Sequence, residues 1–122
     1  MRIINWRNCE SYPVHGDAIE QALIGNQLDA FNQGPKPPKL PFAKGFVFFN
    51  HAVLHPKKTL EIHIGTFEEI YYVISGRGTF VLDDEEYPIR DGDAVHVPEG
   101  IKHGMSNEGS ISIEYLVAGS KM

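Results

Sequence analysis

A chain of 122 residues can hold one domain and is too short for two ordinary ones. With 42% hydrophobic residues, 22% charged residues and a formal net charge of −5, it has the balance of a globular protein. It lacks the surplus of Lys and Arg that binding nucleic-acid phosphates requires, and no apolar run approaches the length a bilayer demands.

The first residues, MRIINWRNCESYP, contain no apolar segment long enough for a signal peptide. Cys9 is the single cysteine, so no intrachain disulfide can form, and a reducing, cytoplasmic compartment is expected. Next comes AIEQALI, residues 18–24. Asp17 can cap a helix over it, yet the same piece can form an edge strand, and both assignments stay open. GPKPPKLPF, residues 34–42, carries four prolines, which remove ladder donors and fix φ. It reads as an extended connector over the surface; a lid over a pocket, or a docking peptide built on the Pro35/Pro38 spacing, are the alternatives. Residues 1–44 together are expected to form an N-terminal extension packing on a barrel of residues 45–119.

From Gly45 the apolar period is two. GFVFFNHAVL, TLEIHI, EIYYVIS, TFVL, YPI, AVHV and SISIEYLV are rich in β-branched and aromatic residues, and turn formers separate them. Many short strands at close spacing predict an all-β sandwich or barrel. The acidic run at residues 83–86 reads as a hairpin tip and Gly-Arg-Gly at residues 76–78 as a turn, since no helix follows it to hold a phosphate.

The segment GDAVHVPEGIKHGMSN, residues 92–107, carries the chemistry. Pro98 and Gly100 form a rigid corner, and such a corner aims the side chain that follows it, His103. Gly92, Pro98, Gly100, His103 and Asn107 fit the pattern G-x5-P-x-G-x2-H-x3-N, and Glu69 and Gly76 fit the later half of G-x5-H-x-H-x3,4-E-x6-G. These are the two motifs of the cupins, and the stretch from Gly45 to Val117 resembles small single-domain cupins. The resemblance implies an RmlC-like jelly-roll barrel of two sheets, often dimeric. It also implies a divalent metal, Fe, Mn, Zn or Ni, held by two or three His and one Glu.

The chain departs from the first motif at Lys57, where a glycine is usual, and at Gly65, where a second His is usual. His63, Glu69 and His103 remain as ligands in either register. In one of them Glu61 stands in for the absent His, because alternate residues of a regular strand share a face. Two imidazoles and a carboxylate suit a metal with open positions. A metal-free binding barrel is the alternative. Tyr71, two residues past Glu69, is a candidate for the pocket and for moving protons. His96 is either a residue of the outer face or a proton shuttle. His51 reads as core or interface, and His15 and His55 as solvated turn residues. The function this implies is a metal-dependent enzyme acting on a sugar or organic acid; a non-catalytic binder of such a molecule is the alternative. A homodimer is expected to cover exposed apolar strands such as GFVFF.

Overall fold

Alternation of apolar and polar residues decides the architecture. The computed structural model describes residues 3–25 and 45–120; the Pro-rich segment 34–42 lies outside them. Its strands are β1 (Tyr12–Val14), β2 (Ala18–Gly25), β3 (Phe48–Leu54), β4 (Thr59–Ile64), β5 (Glu68–Ser75), β6 (Arg77–Leu82), β7 (Glu85–Arg90), β8 (Ala94–Val97), β9 (Lys102–Ser106) and β10 (Ile113–Ser120). A short 3-10 turn, Trp6–Asn8, precedes them. The fold is all-β, and no helix among the described residues is long and apolar enough to cross a membrane.

The strands form two antiparallel sheets, in the orders β1-β2-β3-β10-β5-β8 and β4-β9-β6-β7. AIEQALI is therefore a strand, second in its sheet, with the three-residue β1 covering its open side. Prolines within strands, Pro13 of β1 and Pro88 of β7, fall on edge strands, where a missing N–H costs no ladder bond.

In β10, Ile113, Tyr115 and Val117 point inward; in β5 Glu69, Tyr71 and Val73 do, while Ile70, Tyr72 and Ile74 face out. With Leu54, Leu60, Phe80, Met105 and Val97 they fill the space between the sheets. Each large side chain buried there contributes about 1.5–3 kcal/mol.

One irregularity positions the site. Leu60 pairs with Met105 and His63 with His103, so β4 carries a bulge against β9. Gly104 makes the bulge possible: a Cβ there would stand 2.8 Å from the Leu60 carbonyl oxygen and 3.1 Å from Ile62 Cα. Leu60 and His63, three residues apart, consequently both turn inward, and Ile62 is pushed out to 57% exposure.

Candidate metal centre

Three side chains meet between the sheets. His63 and His103 are cross-strand partners on β4 and β9, with ring centroids 4.2 Å apart. Glu69 comes from β5 in the facing sheet. One donor atom from each lies within 4.8 Å of the other two. Glu69 and His103 are buried and His63 half-buried, so the cluster opens at its His63 side.

The backbone sets both imidazoles in the same tautomer. Nδ1 of His63 bonds the carbonyl of Glu61 at 2.7 Å, and Nδ1 of His103 bonds that of Ile101 at 2.9 Å. A carbonyl only accepts, so each Nδ1 carries the proton and each neutral ring offers a bare Nε2 lone pair. This is how a metal-ligating histidine is held.

Nε2 of His103 is buried and 3.2 Å from Oε1 of Glu69, but it makes no hydrogen bond. In the neutral ring a lone pair thus faces a carboxylate oxygen, an arrangement that needs a proton or a cation between them. The donor set, two imidazole nitrogens and a carboxylate, fits a divalent transition metal with open positions. For His103, burial lowers the pKa, but the Glu69 carboxylate and the Ile101 carbonyl outweigh it and hold the imidazole above its ordinary value. For His63, burial pulls the pKa down; the Glu61 carbonyl opposes this and His103 adds to it. Tyr71 packs its ring edge-on to His103 at 5.7 Å. Burial, then Glu69, keeps its phenol well above the usual range, so it remains a hydrogen-bond donor.

A family model described as a cupin domain matches residues 50–119, more than half of the chain. The chain belongs to the cupins. An oxalate-binding protein of Thermotoga maritima is 37% identical over 57 residues, 47% of this chain and 46% of that one. Protein SchB of Streptomyces halstedii is 31% identical over 65 residues, 52% of this chain and 47% of that one. These matches span about half the length of those relatives. Among solved structures, a predicted oxalate decarboxylase of Thermotoga maritima superposes with a TM-score of 0.78, at 19% identity, covering 99% of this chain and 100% of that one. The polyketide cyclase RemF of Streptomyces resistomycificus gives 0.76 at 19% identity, covering 100% and 80%. At such identity the superpositions speak for the fold.

Within this cupin the remaining residues sort by place. Glu61, expected to share a face with His63, does not: the bulge breaks the alternation, and its exposed side chain lies over Gly16 instead. At Gly65 a Cβ would stand 3.3 Å from Glu69 Oε1 and 3.9 Å from His103 Cε1, so the missing side chain faces the cluster. His96 is not brought to the centre. Strand alternation turns Val95 and Val97 inward and leaves His96 exposed, 2.6 Å from Glu68. His51 is buried on the outer face of its sheet between Gln21 and Glu114, each at 2.6 Å, under the ring of Trp6. His55 is exposed and bonds Ser112. Asn107 is a staple: its Nδ2 donates to the carbonyls of Leu54 and Ile111, and its Oδ1 accepts from Gly109 N–H.

His15 was expected in solvent and is not there. It is half-buried, with its ring stacked on that of His63 at 3.5 Å and 7°. Burial, then the neighbouring His63 and His103, lowers its pKa to about 4. The HG turn at residues 15–16 gives no motif, and only the pairing of distant strands brings it here.

Proposed function

We propose that this cupin is a metal-dependent enzyme acting on a small polar molecule, with His63, Glu69 and His103 holding a divalent ion. The observation that carries the reading is the buried, unbonded Nε2 of His103 facing the Glu69 carboxylate, with His63 beside it. A bound ion would polarise an oxygen of the substrate or organise it for attack. Glu69 supplies the negative charge that offsets the cation, and the two Nδ1–H bonds fix the imidazoles. Tyr71, held protonated beside His103, donates a hydrogen bond to an oxygen of the bound molecule. The apolar walls, Val97, Phe80 and Met105, limit water around it. The molecule works as a homodimer in the cytoplasm.

Metal analysis of protein purified without chelator tests this. A near-stoichiometric transition metal is expected, lost in both His63→Ala and His103→Ala. Substoichiometric metal that neither substitution changes rejects the reading.

A second reading, a binder without turnover, is favoured by the half-length match to an oxalate-binding protein. Thermal shifts with organic acids and sugars, with and without Fe(II) or Mn(II), separate the two. Stabilisation by a ligand that mass spectrometry recovers unchanged supports the binder.

A further inference from the structure

Of the three clustered residues, His63 is the least constrained by packing. It sits just past the bulge, half-buried, between Ile62 and Ile64, which are 57% and 66% exposed. The hydrogen bond from its Nδ1 to the Glu61 carbonyl pins a single ring atom and lets the plane swing about it. Gly65, next along on the same side, offers no ring to pack against.

What does lie flat against His63 is the ring of His15. His15 belongs to the turn between β1 and β2, in the opposite sheet from His63. That turn is fastened along β4. Asp17 N–H donates to the Thr59 carbonyl and Thr59 N–H to the Asp17 carboxylate, each at 3.2 Å; Glu61 N–H donates to the His15 carbonyl at 2.8 Å. Gly16 bridges to Leu60, with a φ of +93°. His15 itself has a φ of +45°, in the left-handed region that few residues with a side chain adopt. A strained residue persists only where its surroundings over-determine it, and such residues gather at functional sites.

We propose that His15 is a positioning residue of the metal centre: its ring, carried on the β1–β2 turn, fixes the plane of His63 so that Nε2 of His63 faces Glu69 and His103. The role in metal holding rests on the function proposed above. The contact is one of faces. An imidazole lone pair lies in the ring plane, and two rings with centroids 3.5 Å apart and planes 7° from parallel send their lone pairs side by side rather than to one point. His15 therefore acts through His63 and not as a ligand. The geometry also makes the N-terminal hairpin part of the centre, because the turn that seats His15 is tied to the strand that bears His63.

Two substitutions test this. His15→Asn removes the ring and keeps a residue that tolerates a left-handed φ, so the turn is retained. His15→Phe keeps a flat ring and removes the nitrogens. Affinity for Zn(II) and Co(II), measured by competition with a chelating dye, is expected to fall roughly 10-fold or more in His15→Asn, as for other residues that orient a metal ligand, and to return in His15→Phe. Long-range proton–nitrogen NMR of the metal-free protein gives an independent readout. His63 should show a single tautomer, protonated at Nδ1, in wild type and His15→Phe, and a mixture in His15→Asn.

Equal loss of affinity in both variants would make a nitrogen of His15 the active group and overturn the proposal in favour of a ligand. Unchanged affinity and an unchanged His63 spectrum in His15→Asn overturn it outright. If wild type binds neither ion, the metal reading fails, while the imidazole spectra still decide whether His15 orients His63. Should His15→Phe not fold, the His63 spectrum of His15→Asn decides.

Discussion

At the scale of single residues, the interior of this cupin carries charge that must be managed. Glu20 on β2 is buried, with its Oε1 accepting from Asn50 Nδ2 at 2.9 Å. Burial, only partly offset by that bond, raises its pKa from 4.5 to about 7. A carboxyl whose folded pKa is raised stabilises most below the unfolded value. Stability should therefore fall from about pH 4.5 to about pH 7, by about 3 kcal/mol for this group, and then level off. Glu20→Gln should remove that slope and be more stable than wild type at pH 8, as urea denaturation across pH would read. A wild-type curve without the slope contradicts it. His103 gives a second titration. Its raised pKa means that protons compete with the ion for Nε2. Zn(II) affinity should drop about tenfold per pH unit below that pKa, with proton release on binding visible in calorimetry in buffers of different ionisation heat. Affinity independent of pH between 5 and 7 would count against His103 as ligand. Asn107 acts differently. It is 1% exposed and serves three backbone groups, so Asn107→Ala should cost about 2–4 kcal/mol and leave metal stoichiometry intact in the folded fraction.

At the scale of elements, period two makes nearly every strand after Gly45 legible, because a strand buried on one face must alternate. Turns were legible for the same local reason, though the acidic tip is shorter than the run: Asp83 and Asp84 turn the chain while Glu85 and Glu86 already belong to β7, and Gly76, with a φ of +99°, links β5 to β6. The bulge in β4 was not legible. TLEIHI alternates cleanly, and only pairing with β9, where Gly104 lets the chain come close, reveals that two residues oppose one. That is why Glu61 looked like a ligand. Gly104→Ala should force the bulge outward. We expect a loss of about 1–3 kcal/mol on thermal melting, together with weaker metal binding as His63 is displaced. Full stability in this variant would show that β4 relaxes freely and that the bulge does not set His63.

At the scale of the whole molecule, the outer face of the six-stranded sheet shows Ile70, Tyr72 and Ile74 at 52%, 44% and 39% exposure. We propose that a second copy covers this face in the homodimer, rather than GFVFF, whose Phe48 is buried in the core. Light scattering should give a dimer for wild type and a monomer for Ile70→Lys with Tyr72→Lys; a wild-type monomer at micromolar concentration ends that reading. The all-β class, the cupin motifs and the trio His63, Glu69 and His103 could be read along the chain. Those signals are local: strand period and a Pro-Gly corner that aims one imidazole. Tertiary structure alone decided that Glu61 leaves the site, that His96 faces out beside Glu68 and that His15 enters. Those placements depend on register and on contacts between sheets. Residues 48 positions apart come to stack only once the chain has paired, and no local pattern of residues encodes that meeting.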